Sequence, residues 1–195
     1  QGQAPKSLLE SYNSERVFAA DENIMNSTRS TDFITPKSDV SRLFRDAVLE
    51  LSEHHAFARP LVNSGRLSLP SSYAPSDHFG ADVETLPTLS RPGAPCPDAT
   101  LDDGRFLLQI LSEGFNLLVF NLSVDQFGLN SDLYLDLIKL DTRNNQNQKL
   151  GERYLGDAQS AVYLIRPDQY IAARWTEFDE VTIKGALSAA LGQTV

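Results

Sequence analysis

Two short apolar runs separated by a turn lie between residues 160 and 175. Ala161 to Ile165 and Tyr170 to Trp175 are rich in β-branched and aromatic residues, and the intervening Arg166-Pro167-Asp168-Gln169 has the composition of a turn. The pattern therefore predicts a β-hairpin. Both faces of the first run are apolar, which is typical of a strand that is covered on both sides. Because an isolated hairpin is only marginally stable, further strands and covering helices are expected.

Two more strands and a final helix are predicted around this hairpin. Phe115 to Leu122 is an apolar run typical of a buried strand, and Tyr134 to Leu140 alternates as a strand at a sheet edge does. After the hairpin, apolar residues recur at helical spacing from Phe178 to Leu191, behind Thr176 as a plausible cap. The pattern predicts a mixed sheet of about four strands flanked by helices.

The first sixty residues have a helical period instead. Apolar residues at three- and four-residue steps predict a first helix from Lys6 to Met25, followed by a polar break from Ser27 to Asp32. Pro36 and Ser38 are start signals for a second helix that extends to about Phe57. Its apolar stripe requires a packing partner, either the first helix or a neighbour outside this chain. The stripe consists of Val40, Leu43, Phe44, Ala47, Val48 and Leu51.

The stretch from Ala58 to Pro97 is rich in Pro, Ser and Gly and has little periodicity. So long a connection is uncommon inside a compact domain, so it is expected to lie across something larger or to close over a site. The fold class is predicted as α+β or α/β. A helical segment is expected over residues 1–60, a linker over residues 61–90 and a sheet domain over residues 91–195.

Charge and hydropathy exclude several kinds of partner. The 26 acidic and 17 basic residues give a formal net charge of −9, and repulsion from phosphates disfavours nucleic acid and anionic membranes. The sequence contains no apolar run long enough to span a bilayer and does not open with a basic region and an apolar signal core. A cytoplasmic location is expected.

Few residues are candidates for chemistry. The single cysteine, Cys96, has no partner for an internal disulfide, and Ser123 to Gln126, after the first strand, supply no redox cysteine pair. Cys96 is therefore expected to be a passive thiol. His54 and His55 are adjacent and point to different sides of a helix, and Asp77-His78 has no nucleophile at a known distance. No catalytic, cofactor-binding or metal-binding residue is predicted.

Motifs in both parts of the chain match one family. In the C-terminal half they are Arg91-Pro92-Gly93, Pro97-Asp98, Leu101, Asp103-Gly104, Phe115 to Leu118, Leu164 to Asp168 and Ala173-Arg174-Trp175. In the N-terminal part they are Leu8 to Tyr12 with Glu15-Arg16, and Arg45-Asp46.

The first set resembles the thioredoxin-like domain at the end of flavin-dependent aromatic hydroxylases of the phenol hydroxylase type. The second resembles the helix that closes their flavin domain and the helix after it. The sequence departs from the family at Pro95-Cys96 and at Gln169, where Gly often follows the Asp.

The resemblance implies a larger enzyme that uses FAD, NAD(P)H and O₂ to hydroxylate an aromatic ring. Such enzymes hold the FAD pyrophosphate on a Gly-rich strand-to-helix turn. This sequence contains no G-x-G-x-x-G, and Gly156-Asp157 is followed by Ala-Gln rather than Ala-His. The resemblance therefore implies a C-terminal fragment without catalytic groups, whose partner is a missing N-terminal flavin and substrate domain. The alternative is a stand-alone thioredoxin-fold interaction module without redox activity.

The resemblance also implies subunit association, so a homo-oligomer is expected. Guanidinium groups make planar paired contacts that suit desolvated surfaces. The alternative is that Arg166 and Arg174 each pair with an acidic residue of their own domain. If Arg174 is an interface anchor, Arg174→Ala weakens association and spares the fold. The candidate structural or interface residues are Arg16, Arg91, Arg166, Asp168, Arg174 and Trp175.

Overall fold

The computed structural model describes residues 5–6, 8–62, 69–124, 135–143 and 148–193. Its contacts divide the chain into two compact units. The helical unit is Tyr12–Ser71, and the sheet unit is Gln1–Ser11 with Ser72–Val195. The three-part division at residues 60 and 90 stays a prediction. Within the described ranges, no helix is both long and apolar enough to cross a membrane.

The first helix, α1, is Leu8–Ile34 and is longer than the sequence pattern indicated. The predicted break from Ser27 to Asp32 is wrong, because the hydroxyl groups there are accommodated within the helix. Thr31 Oγ1 donates to the Ser27 carbonyl at 2.9 Å, and no glycine or proline interrupts the stretch. The helix ends just before Pro36, which disfavours helical backbone at the residue that precedes it.

The second helix, α2, is Asp39–His54 and begins at the cap indicated by the sequence. The side-chain oxygen of Ser38 accepts a hydrogen bond from the Ser41 N–H at 3.1 Å. A 3₁₀ turn at Ala56–Ala58 and the short helix α3, Arg59–Val62, follow. Helix α2 packs on that turn and on α3, and it makes no comparable contact with α1. The unit's buried hydrophobic residues, in its described part, are Val48 and Ala58.

The sheet has four strands in the order β2-β1-β3-β4. Strands β1 and β2 are parallel, and β3 is antiparallel to both β1 and β4. The predicted mixed sheet and hairpin are confirmed; the predicted start of the second strand at Tyr134 lies outside the described residues. The strands are β1, Phe115–Phe120; β2, Leu135–Leu140; β3, Ala161–Ile165; and β4, Ile171–Trp175.

Among the described residues, three α-helices accompany the sheet: α4, Leu107–Ile110; α5, Gln148–Tyr154; and α6, Glu180–Ala190. The cap of α6 is Asp179 and not Thr176 as predicted. The Asp179 carboxylate accepts hydrogen bonds from the Val181 and Thr182 N–H groups, and a negative charge is favourable at this end of a helix. The hydrogen bond from the Thr182 hydroxyl is the main cause that lowers the pKa of Asp179.

Both faces of the sheet are buried. Every residue of β1 and β3 is buried, as expected for strands between two layers. Leu150 and Tyr154 of α5 pack on one face, and Ile183 and Leu187 of α6 pack on the other. The sheet unit therefore contains two hydrophobic clusters, one on each side.

Candidate functional site

Residues 72–96, here called the edge segment, run along the outer edge of β4. The long connection was expected to lie across something larger or to close over a site; this stretch of it lies along the sheet of its own unit. Its backbone pairs with β4 at two places, through Gly80-Ala81 and through Gly93-Ala94, with N···O distances of 2.8 to 3.0 Å, and the Cys96 N–H donates to the Gln169 carbonyl in the turn before β4 at 2.8 Å. An open edge strand is a template for pairing with another chain. The edge segment occupies this template on β4.

Two glycines of the edge segment lie where a side chain would be too close to its neighbours, one against β4 and α6 and one against the segment's own Tyr73. A Cβ at Gly80 would lie 3.0 Å from Ala173 Cβ and 3.1 Å from Ala186 Cβ. Gly93 has a φ of +80°, and a Cβ there would lie 2.6 Å from the Tyr73 carbonyl oxygen. A larger residue at Gly93 would combine a steric clash with backbone strain.

Arg174 connects β4 to the edge segment. Its side chain is 3% exposed, Nε lies 2.5 Å from Asp82 Oδ1, and Nη1 donates to the Pro87 carbonyl at 2.6 Å. Arg174 thus pairs with an acidic residue of its own unit, which is the second of the two alternatives raised by the sequence. The expectation that Arg174→Ala spares the fold does not fit this burial.

Two buried tyrosines continue the polar contacts beneath the edge segment. Tyr163 OH lies 3.0 Å from Ser90 Oγ and donates to the Tyr154 carbonyl at 2.5 Å. Tyr154 OH donates to the Pro97 carbonyl at 2.6 Å. Burial raises the pKa of both phenols, so both stay protonated donors at neutral pH. These hydroxyls hold the segment to β3 and α5.

Cys96 lies at the end of the edge segment and is buried. Its Sγ is 3.0 Å from Tyr154 OH, whose own proton goes to Pro97, so the thiol is the donor. Burial raises the pKa of Cys96 from 9.0 to about 12. The thiolate is the nucleophilic form, so this environment makes the thiol unreactive at neutral pH. The geometry supports the prediction of a passive thiol.

The hairpin turn brings Arg166 and Asp168 together. Arg166 Nε and Nη2 donate to the two Asp168 carboxylate oxygens at 3.1 and 2.8 Å, and the guanidinium carbon lies 5.5 Å from the Phe79 ring centroid. Gln169 follows with a φ of +65°, a left-handed conformation that glycine adopts most easily. Gln169 therefore stands where the resemblance leads us to expect Gly, and the backbone conformation at this position favours Gly.

The other three predicted residues lie apart. The Trp175 ring packs with the hydrophobic cluster on the α6 side, and its buried Nε1 has no hydrogen-bond partner among the described residues. Arg16 is exposed and lies over the Tyr12 ring at 5.5 Å, and Arg91 is exposed on the edge segment. Among the six predicted residues, the described contacts join only Arg166 to Asp168.

Asp82, Ser90, Tyr154 and Tyr163 were not predicted to have a role. Alternation along β3 could have assigned Tyr163 to an inward face. No local signal marks Asp82 or Ser90, because their partners lie 92 and 73 residues away.

A shallow depression of about 500 Å³ lies where β1 and β2 end. Asn121, with a φ of +58°, donates from its amide to Thr142 Oγ1 and to the Gln159 carbonyl, both at 3.0 Å. These polar groups bind one another.

No metal site is found in the part of the chain that the structure describes. His78 Nδ1 lies 3.3 Å from the Ala189 carbonyl, and the described residues contain no group of three or more His, Cys, Asp or Glu that could hold a metal. The geometry therefore indicates a structural junction between the edge segment and the sheet.

Solved structures of flavin enzymes have this fold. RebC, a rebeccamycin biosynthetic enzyme, solved with reduced flavin, matches 99% of this chain at 21% identity with a TM-score of 0.61. Aklavinone-11 hydroxylase, solved with FAD and aklavinone, matches 99% at 19% identity and 0.64. PieE, a flavin-dependent monooxygenase solved with FAD and substrate, matches 99% at 16% identity and 0.56.

This chain spans about two fifths of those proteins: 38% of RebC, 37% of aklavinone-11 hydroxylase and 41% of PieE. No family model matches the sequence, and no curated protein does. At these identities the likeness establishes the fold. It confirms, for the fold, the resemblance to flavin-dependent hydroxylases that the motifs indicated.

Proposed function

We propose that this chain is the C-terminal part of an FAD-dependent aromatic-ring hydroxylase, in which it has a structural role and supplies no catalytic group. One observation carries the proposal. The match to larger flavin enzymes covers 98–99% of this chain, and so includes both the helical unit and the sheet unit, and it covers about two fifths of those enzymes. FAD and NAD(P)H belong to the rest of the enzyme. FAD would supply the reaction with O₂ there, and this chain would give structural support to the domain that binds it.

The sheet unit is proposed to be a thioredoxin-like domain that has no redox activity. The strand order β2-β1-β3-β4, with one parallel pair and a helix after β4, supports that topology. Redox catalysis needs a low-pKa thiolate and a second thiol. The sequence has one cysteine, and burial raises its pKa to about 12. The proposed cytoplasmic location is supported by the single cysteine, which has no disulfide partner in this chain.

Subunit association is the second part of the proposed role. Arg91 is exposed on the sheet unit, whereas Arg174 is buried within that unit. Arg91 is therefore the better candidate for a contact with a second subunit. We expect Arg91→Ala to raise the dissociation constant of the homo-oligomer about tenfold, as loss of one guanidinium contact would. Arg143→Ala, also at an exposed arginine, is the control. Equal subunit masses for both variants in light scattering over a dilution series would contradict the association role.

The stand-alone interaction module remains the alternative, and flavin retention separates it from the proposal. The purified chain is mixed with FAD and passed through a gel-filtration column beside the polypeptide from the complete reading frame. We expect the longer polypeptide to retain FAD and to oxidise NAD(P)H, and the chain alone to elute without flavin. The proposal would be overturned if the longer polypeptide did not retain FAD. It would also be overturned if the chain alone bound FAD and changed its absorbance spectrum.

A further inference from the structure

The apolar stripe of α2 faces solvent. Val40 is 78% exposed, Leu43 73%, Phe44 58% and Leu51 42%, whereas Val48 at the border of the stripe is buried. Together the four exposed side chains present on the order of 500 Å², which is within the range of the largest apolar patch on a typical monomer. Patches of this size on a monomer are often functional.

The patch is one face of a helix. At about 100° per residue, Val40, Leu43, Phe44 and Leu51 fall within an arc of about 100°, and no Asp, Glu, Lys or Arg of α2 falls within that arc. An amphipathic helix is normally stable because its apolar arc is buried. The charged residues outside the arc are Asp39, Arg42, Arg45, Asp46, Glu50 and Glu53.

Helix α1 also exposes apolar side chains. Five of its exposed apolar side chains fall within an arc of about 140°. Its buried residue is Glu15, which lies outside that arc. The five side chains are Leu9, Tyr12, Val17, Ile24 and Ile34. Two successive helices therefore expose the residues that helices usually bury.

We propose that the α2 stripe is a docking surface for the upstream part of the same polypeptide. This inference rests on the proposed function. The larger flavin enzymes contain about three fifths of their length beyond the part that this chain matches, which is enough for a covering body. Apolar side chains on that body would fill the space around Leu43 and Phe44.

A second copy of this chain fits the stripe less well. A two-fold contact through the stripe would bury on the order of 500 Å² on each partner, against about 800 Å² in a standard stable interface. An upstream part of the same polypeptide needs no such area, because the covalent connection gives it a high effective concentration.

A matched pair of substitutions tests the proposal. Leu43→Glu places a charge in the stripe, and Leu49→Glu places the same charge about 180° away from the middle of the stripe, at a residue that is 41% exposed. In this chain alone, we expect both variants to melt within about 2 °C of the wild type, as surface changes do. In the complete flavoprotein, Leu43→Glu should lower the melting temperature by more than about 5 °C, because it buries an unpaired charge. Leu49→Glu should stay within about 2 °C.

Hydrogen exchange on the wild type gives a second readout that does not depend on a variant's folding. We expect the α2 amides to exchange at least about tenfold more slowly in the complete flavoprotein than in this chain. Equal exchange, or equal effects of the two leucine variants in the complete flavoprotein, would overturn the docking surface while leaving the proposed function intact. A wild-type chain that is dimeric by light scattering and becomes monomeric with Leu43→Glu would instead assign the stripe to a second copy. Absence of flavin from the complete polypeptide would overturn the proposed function itself.

Discussion

The helical unit and the sheet unit differ in what holds them together. The sheet unit has a hydrophobic cluster on each face and buried polar contacts to the edge segment. In the described part of the helical unit, Val48 and Ala58 are the buried hydrophobic residues, and the large apolar side chains of α1 and α2 are mostly exposed. Burial of apolar surface is the dominant favourable term in folding. The difference indicates that the sheet unit carries much of its own stability, whereas the described part of the helical unit leaves most of its large apolar side chains in contact with solvent.

Separation of the two units should produce the largest effect. We expect residues 72–195 to unfold cooperatively in urea, because both clusters lie within them. Residues 12–71 should lose most of their helix at 25 °C, since helices without a packed face are marginal in water. Circular dichroism of the two peptides measures this. A cooperative transition in residues 12–71 would break the comparison.

The Cys96 thiol should report on the sheet unit alone. With its pKa raised to about 12, the folded protein should react with iodoacetamide at pH 8 at least about a hundredfold more slowly than the urea-unfolded chain. Because the folded pKa lies above the unfolded value of 9.0, the thiol's contribution to stability is complete below pH 9 and is lost as the pH rises towards 12. Reaction at the unfolded rate under native conditions would show that the edge segment opens freely.

Arg174→Ala should destabilise the sheet unit by about 2 kcal/mol, because it removes a buried guanidinium group together with its hydrogen bonds to Asp82 and to the Pro87 carbonyl. The control is Arg143→Ala, which removes an exposed ion pair with Asp141 and should have little measurable effect. Urea unfolding measures both. Similar midpoints for the two variants would mean that the edge segment contributes little to the stability of the sheet unit.

Gln169→Gly should give the smallest effect and the opposite sign. The left-handed backbone at Gln169 costs about 1 kcal/mol for a residue with a Cβ, and glycine removes most of that strain. We expect a gain of roughly 0.5 kcal/mol once the greater freedom of glycine in the unfolded chain is included. Gln169→Ala, which keeps the Cβ, should give no gain in thermal unfolding, and an equal gain from both variants would reject backbone strain as the cause.

Local patterns predicted the parts of the fold that depend on neighbours in sequence. The hairpin and the Ser38 cap of α2 follow from contiguous residues, and the apolar run at Phe115 predicted β1. The break in α1 was wrong because polarity was taken as a helix stop, although hydroxyl groups can bond to the preceding turn.

The contacts of the edge segment could not be predicted from local pattern. Gly80 pairs with Ala172, and Asp82 pairs with Arg174 from 92 residues away. The same Pro- and Gly-rich composition describes a free linker and a segment that lies on a sheet. Only the surface against which such a segment packs distinguishes the two.

The edge segment has a practical consequence for anyone who isolates the sheet domain by itself. A fragment that begins at residue 91, where the sequence places the end of the linker, would lack Gly80, Ala81 and Asp82. Half of the β4 edge would then be bare, and Arg174 would lose its carboxylate partner. Such a fragment would be prone to strand-to-strand aggregation during purification, whereas one that begins at residue 72 would keep its own protective covering.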